Sequence, residues 1–105
     1  MNIKNIDGFD WDAGNSEKCQ KHGVSLLELE SAFYNAMSIF PDIAHSQTEE
    51  RFIAIGKTNE GRYIFVAFTL RYHEKKTFIR PISSRYMHTK EIEHYEQATP
   101  HSHNG

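Results

Sequence analysis

The segment RYIFVAFTLRY, residues 62–72, constrains the fold more than any other part of the chain. Because side chains alternate across a strand, one face of this segment carries Ile64, Val66, Phe68 and Leu70. The opposite face also carries apolar and aromatic side chains, so both faces need a cover. The segment is therefore predicted to be a central strand of a sheet.

Turn signals on both sides of this strand predict its neighbours. RFIAIGK precedes it and is separated from it by TNEG, whose Asn59 and Gly61 favour a hairpin turn. HEKK supplies a second turn before TFIRPI, and MSIF before Pro41 is a further strand candidate. These segments predict a meander of three or four antiparallel strands.

Helical signals precede and follow the meander. After an extended arm or short strand up to Trp11, DAGNSEKCQKHG is typical of a brief helix that ends at Gly23. Ser25 and Glu28 fit a capping box for a second helix. Its apolar stripe is Leu26, Leu29, Phe33 and Met37.

A final helix is expected after Thr89, which is a suitable cap residue, with Ile92 and Tyr95 on its apolar side. The predicted fold is thus α+β: two short N-terminal helices, a three- to four-stranded antiparallel sheet and a C-terminal helix, with the helices on one side of the sheet.

The 105 residues are enough for one core of modest size, so residues 1–97 are predicted to form a single domain and residues 98–105 a disordered tail. No run approaches the roughly 18 apolar residues that span a bilayer, so no membrane role is expected. The start of the chain lacks the apolar core of a signal peptide, and the only cysteine, Cys19, has no partner for a disulfide. Both features favour a cytoplasmic location.

The net charge of −2 hides a strongly uneven distribution. Residues 1–50 carry three basic and nine acidic side chains, whereas residues 51–90 carry nine basic and two acidic ones, a balance of +7. The last fifteen residues contribute three acidic side chains. Such a cationic segment is typical of a protein that meets phosphates or an acidic partner, and equally of a solvated sheet face.

Lys18 and His22 are four residues apart and would share one face of the first helix. A histidine beside a lysine is suited to act as general acid or base, or to bind a phosphate. The alternative is that both cations only complement the dipole at the helix C-terminus.

Two arginines flank a serine pair in RPISSRY, residues 80–86. Pro81 makes a regular strand doubtful there, and leaving the strand would bring Arg85 to the same opening as Arg80. Two guanidinium groups would then be able to hold a phosphate beside the hydroxyls of Ser83 or Ser84. The alternative pairs Arg80 with a glutamate at 49 or 50 and lets Arg85 anchor the final helix.

Other candidates are weaker. Trp11 is interpreted as a core anchor and Cys19 as a small buried residue. The seven histidines lack the spacing of a metal site, and no phosphate-binding loop or dinucleotide fingerprint is present. Neither a metal nor a cofactor is therefore expected.

Four blocks, FDWD, GNSEKCQKHGVS, EERFIAIG and RPISSRYMHTKEIEHYE, occur in an order that resembles the BrnT family of bacterial toxins. The resemblance covers roughly residues 9–96. It implies a RelE-like fold and a metal-independent endoribonuclease that arrests translation and growth. It also implies a cognate BrnA-type antitoxin with a ribbon-helix-helix part, through which the pair binds operator DNA.

The resemblance leads to a specific hypothesis for the site. Arg80 and Arg85 would hold the scissile phosphate of an RNA substrate, Arg51 would assist, and His22 would act as acid or base. Further phosphate contacts are assigned to Lys18, Lys57, Ser83 and Ser84. Two alternatives stay open: a non-catalytic module that binds RNA or protein, and a degenerate toxin retained for operon autoregulation.

Overall fold

Five strands and three helices occupy residues 5–98, the part of the chain that this computed structural model describes. The strands are β1 (Gly8–Phe9), β2 (Ser38–Pro41), β3 (Arg51–Lys57), β4 (Tyr63–His73) and β5 (Lys76–Tyr86). The helices are α1 (Ala13–Gln20), α2 (Leu26–Tyr34) and α3 (Thr89–Ala98), and a single 3₁₀ turn covers Ile43–His45. Apart from Ala98, which ends α3, the tail predicted to be disordered lies outside these residues.

The strands form one sheet in the order β1-β5-β4-β3-β2, with β4 in the centre as its sequence pattern predicts. Strands β2 to β5 are antiparallel, which confirms the predicted meander and the assignment of MSIF as a strand. The prediction of a purely antiparallel sheet is wrong, because β1 adds a fifth strand parallel to β5. Gly8 and Phe9, in the predicted arm or short strand before Trp11, are therefore part of the sheet.

Strand β5 does not end at the proline. It continues to Tyr86 through a bulge, in which Pro81 opposes Phe68 and Ser83 opposes Ala67, so that Ile82 is the extra residue. A bulge accommodates a proline within a strand because the regular hydrogen-bond ladder is already interrupted there. The extra residue also changes which side chains share a face.

Because of this bulge, Arg80 and Arg85 lie on the same face of the sheet. Arg80 is paired with Thr69 and Arg85 with Phe65, two residues that are four apart on β4 and hence share a face. Arg51, which pairs with Thr69 from β3, lies on this face too. We call it the arginine face.

The opposite face packs against α1 and α2 and forms the core. Its fully buried side chains include Cys19, Leu29, Ile64, Val66, Phe68 and Ile79. Helix α2 is held at its start by the predicted capping box, in which Ser25 and Glu28 each bind the backbone N–H of the other. Burial of Leu29 and Ala32 then fixes the apolar side of α2 against the sheet.

Helix α1 is shorter than its sequence segment. It begins after Asp12, whose carboxylate accepts from the N–H of Asn15, and it ends at Gln20. His22 therefore lies in the following turn, not in the last turn of the helix. Gly23 has a φ of 95°, which supports its predicted role as the left-handed residue after the helix.

Helix α3 lies on the arginine face, so the prediction that all helices share one side is wrong. Tyr95 hydrogen-bonds Ser38, Tyr63 donates to Glu96, and Arg85 donates to Glu91. The predicted cap Thr89 is the first helical residue instead. The carbonyl of His88 accepts the first helical hydrogen bond, from the N–H of Ile92.

The hairpin between β4 and β5 has a two-residue turn, Glu74 and Lys75, with φ values of 49° and 67°. Glycine adopts this left-handed region without the cost that a side chain brings. Replacing Lys75 by glycine is expected to raise the free energy of unfolding by about 1 kcal/mol, measured by urea denaturation.

The matched control for that prediction is Gly61, which has a φ of 83° in the other hairpin and open space around its Cα. Gly61→Ala should lower stability by a similar amount, because only the backbone conformation is strained. Equal stability of Lys75→Gly and the parent protein would contradict the argument from turn strain.

None of the helices within residues 5–98 combines the length and the apolar composition needed to cross a membrane.

Candidate functional site

Two cavities contain most of the cationic side chains that the sequence singles out. The first, which we call the arginine cavity, has a volume of about 460 Å³. Its polar lining includes Lys18, Arg51, Arg71 and Arg80, together with Asp12 and Glu49. The histidine cavity, about 410 Å³, is lined by His22, Arg62, Arg85, Tyr86, Met87 and His88.

The wall of the arginine cavity depends on how α1 is attached to β5. Asn15 is buried, and its side-chain amide donates to the carbonyls of Asp10 and Pro81, both at 2.9 Å. The start of α1 is thereby fixed beside the bulge in β5. This attachment places the N-cap Asp12 within reach of Arg80.

Arg80 is held by two carboxylates. Its Nη2 lies 2.7 Å from Oδ2 of Asp12, and its Nη1 lies 3.5 Å from Oδ2 of Asp10. The hydrogen bond to Asp12 raises the pKa of Arg80 further above its usual value. The pKa of Asp12 is lowered, first by the backbone N–H of Asn15 and then by Arg80. Arg80 is consequently charged and oriented.

The other cations of this cavity differ in how they are balanced. Arg71 donates to Glu49 at 2.7 Å, whereas within residues 5–98 the side chains of Lys18 and Arg51 form no ion pair. Lys18 is exposed and Arg51 is half-buried. The four basic side chains of the cavity outnumber its two carboxylates, and this excess of positive charge favours an anionic ligand.

In the histidine cavity, Arg85 makes a two-pronged contact with Glu91 of α3, with both N···O distances at 2.8 Å. Its guanidinium also lies over the ring of Phe65, with Cζ 4.8 Å from the ring centroid. The hydrogen bond from Arg85 lowers the pKa of Glu91 to about 2, assisted by the backbone N–H of His88. Arg85 therefore connects the sheet to the start of α3.

Arg62 and Tyr86 form a stacked pair at the other side of the histidine cavity. The Cζ of Arg62 lies 3.4 Å from the centroid of the Tyr86 ring. The Tyr86 hydroxyl lies 2.8 Å from both carboxylate oxygens of Glu28. Burial, followed by this hydrogen bond, raises the pKa of Tyr86, and the backbone N–H of Ser25 lowers that of Glu28.

The predicted site residues fall into two groups. His22 and Arg85 share the histidine cavity, while Lys18, Arg51 and Arg80 share the arginine cavity. Arg80 and Arg85 do not enclose one common space. Their partners on β4 are four residues apart, which separates them by roughly 13 Å along the sheet. Each is also turned toward a different carboxylate.

Of the two alternative pairings considered for the arginines, the structure contains that of Arg85 with the final helix but not that of Arg80 with Glu49 or Glu50. Arg85 does anchor the final helix, through Glu91. Arg80 is paired with Asp12 and Asp10, whereas Glu49 is paired with Arg71.

Three predicted phosphate contacts line neither cavity. Ser84 is buried, and its hydroxyl donates to the carbonyl of Cys19 at 2.6 Å, so it has no access to a phosphate. Ser83 lies on the arginine face opposite Ala67. Lys57 is exposed, with its Nζ 5.0 Å from the centroid of the Tyr63 ring near α3.

Sequence reasoning missed Arg62, Arg71 and His88 as parts of the two cavities. Nothing in their local spacing connects them to the predicted residues. Counting the antiparallel pairs back from the HEKK turn would have brought the start of β4 close to the end of β5, where Ile64 opposes Tyr86. This count is the signal that leads to Arg62.

Cys19 is buried and lines neither cavity. Burial raises the pKa of the Cys19 thiol to about 11, in agreement with its interpretation as a small buried residue. Within residues 5–98, no three acidic, histidine or cysteine side chains cluster in a way that would hold a metal ion.

A family model described as the ribonuclease toxin BrnT of a type II toxin-antitoxin system matches residues 11–91. The chain belongs to the BrnT family. The match includes every residue that lines the arginine and histidine cavities of this BrnT chain. A toxin of a type II system implies an antitoxin partner. No curated protein matches the chain.

Proposed function

We propose that this BrnT chain is an endoribonuclease that cleaves RNA without a metal ion, and that the histidine cavity is where the reaction takes place. The observation that carries the proposal is that His22 and Arg85 line the same cavity. An imidazole transfers protons near neutral pH, and a guanidinium stabilises negative charge on phosphate oxygens. RNA cleavage requires both functions at one linkage.

The reaction proceeds by attack of the ribose 2′-oxygen on the neighbouring phosphorus. A base removes the 2′-hydroxyl proton, the bond from phosphorus to the 5′-oxygen breaks, and an acid donates a proton to that oxygen. The products are a 2′,3′-cyclic phosphate and a 5′-hydroxyl. His22 and His88 line the same cavity, and we assign the two proton transfers to this pair of imidazoles.

Arg85 stabilises the charge that develops on the phosphorane. A donor placed in advance at such a position contributes ~3 to 4 kcal/mol in comparable sites. To reach the phosphate, Arg85 exchanges the carboxylate of Glu91 for a phosphate oxygen. This exchange is chemically matched, because both groups offer the paired oxygens that a guanidinium binds with two hydrogen bonds.

The arginine cavity supplies binding. Within residues 5–98 Lys18 and Arg51 form no ion pair, and Arg80 lines the same cavity and is held by Asp12. We assign these side chains to phosphates of the RNA that flank the cleaved linkage. Such contacts release counterions, so the logarithm of the affinity falls linearly with the logarithm of the salt concentration.

Replacement of Glu91 by glutamine is expected to tighten RNA binding by about fivefold, because it removes the carboxylate that competes for Arg85. Glutamine preserves the hydrogen bond from the His88 N–H that caps α3. Fluorescence anisotropy with a labelled RNA measures the change. Glu93→Gln removes the same charge from an exposed position in α3 and should change the affinity less than twofold. Equal affinities for both variants would contradict the competition.

For the partner and the fold, we propose a BrnA-type antitoxin with a ribbon-helix-helix part and a RelE-like toxin domain that arrests translation. The excess of positive charge in residues 51–90 supports an acidic antitoxin surface over the cavities. Operator DNA would be bound only through the antitoxin.

The activity is tested by incubating the purified protein with RNA in the presence of a chelator. Discrete fragments that end in a 2′,3′-cyclic phosphate are expected. A mobility shift without fragments would favour the non-catalytic binding module, and an intact antitoxin complex without growth arrest or cleavage would favour the degenerate toxin. The occupation of Arg80 and Arg85 by carboxylates is the observation that favours these two alternatives.

A further inference from the structure

Arg62 and Tyr86 form a stacked pair whose orientation is fixed by further contacts. The Tyr86 ring is fixed through its hydroxyl, which binds Glu28. Glu28 in turn accepts from the N–H of Ser25 in the capping box of α2. The ring is thus attached to the start of a packed helix, and the guanidinium rests on this ring with Cζ 3.4 Å from its centroid.

The charge of Arg62 is not used in an ion pair within residues 5–98. Arg62 is exposed and lines the histidine cavity, so one side of its planar group lies on Tyr86 and the other is available to a ligand. Guanidinium planes, like aromatic rings, are surfaces on which unpaired bases of RNA stack. A lone phosphate would use the N–H edges of the group instead.

The remaining lining of the cavity suits the nucleotide that carries this base. His22 and His88 are the imidazoles to which the proton transfers at the linkage are assigned, and Met87 offers a polarizable thioether. Arg85, which lines the same cavity, is the group assigned to the phosphate. The cavity therefore combines a stacking plane, proton-transfer groups and a phosphate contact, which together match one nucleotide of a single strand.

We propose that Arg62 is the stacking surface for an unpaired purine base next to the linkage that is cleaved, and that Tyr86 and Glu28 position it. This inference rests on the proposed ribonuclease function and names the part of the substrate that the histidine cavity recognises. A purine is favoured over a pyrimidine because its larger ring system covers more of the plane. A base inside a duplex cannot present its face, so single-stranded RNA is the substrate.

The test uses three labelled hexanucleotides that carry 2′-O-methyl groups, which block attack by the 2′-oxygen and allow binding to be measured without cleavage. They have the same backbone charge and differ only in their bases: all adenine, all uracil, or none. The variant is Arg62→Lys, which keeps the charge but lacks the planar group. Arg71→Lys, the same change in the arginine cavity, is the matched control.

The parent protein is expected to bind the adenine ligand on the order of tenfold more tightly than the abasic one, with the uracil ligand between them. Arg62→Lys should bring the adenine and abasic ligands within about twofold of each other. Arg71→Lys should leave the ratio of the adenine and abasic affinities unchanged, because Arg71 lies in the arginine cavity and is paired with Glu49.

Two results would overturn the inference: equal affinity of the parent protein for all three ligands, including absence of binding, or an undiminished adenine preference in Arg62→Lys. The separate cleavage assay in chelator distinguishes this failure from failure of the proposed function. Cleavage without a base preference in binding would remove only the stacking assignment. Base-dependent binding without cleavage would remove the ribonuclease proposal and leave Arg62 as part of an RNA-binding site.

Discussion

Replacing His22 by alanine lowers the rate constant for RNA cleavage by about 10²- to 10⁴-fold, the range typical for loss of a positioned acid or base. His22 is exposed in the turn after α1 and does not belong to the hydrophobic core, so the variant should fold like the parent protein. Its affinity for RNA should change little, because Arg51, Arg80 and Lys18 are untouched. Single-turnover cleavage of a labelled RNA measures the rate, and relief of growth arrest reports the same loss in cells.

His94→Ala provides the control for the His22 experiment. His94 is exposed in α3 and lines neither cavity, so its loss should leave cleavage within twofold of the parent rate. A pH-rate profile adds a readout that damage to the structure would not imitate. The parent profile should be bell-shaped, and His22→Ala should lose one limb of the bell. Full toxicity of His22→Ala would end its assignment as acid or base.

The sheet was predictable because its signals are local. Alternation in β4, turn residues in TNEG and the span of RFIAIGK each depend on neighbours in sequence, and the structure places β3 and β4 at those positions. The capping box of Ser25 and Glu28 is equally local. The parallel strand β1 was not predictable in this way, because two residues carry no period and pair with a strand about 70 residues later.

The sequence pattern of β4 contains part of the information on where α3 lies. The apolar residues on both faces of β4 already required a second cover besides α1 and α2. Helix α3 provides part of that cover through Tyr95, whose ring packs against Tyr63, although none of its residues is buried. The sequence of α3 is amphipathic, but nothing in it states which face of the sheet the helix occupies.

The site was harder to predict than the sheet because it depends on the bulge and on ion pairs between distant residues. One extra residue at Ile82 decides that Arg80 and Arg85 share a face. The carboxylates that orient them differ in sequence separation: Glu91 is six residues from Arg85, while Asp12 is 68 residues from Arg80. Only the near pair was anticipated, as the anchoring of the final helix.

Phe68→Ala is expected to destabilise the protein by about 3–5 kcal/mol, the usual cost of emptying a buried aromatic site. Phe68 is fully buried in the central strand, and its ring packs on Phe33 at 5.3 Å and on Phe52 at 5.4 Å between centroids. Since small domains have total stabilities of about 5–15 kcal/mol, much of the folding free energy would be lost. Urea denaturation followed by circular dichroism should show a lower midpoint at an unchanged slope.

Tyr72→Ala removes an aromatic ring that is 74% exposed on the same strand and should shift stability by less than about 0.5 kcal/mol. If the two variants were equally stable, the core would not be centred on β4. Because Phe68 also opposes Pro81 at the bulge, a collapse around the vacant site would move Arg80 relative to Arg85 and alter the cavities that both arginines line.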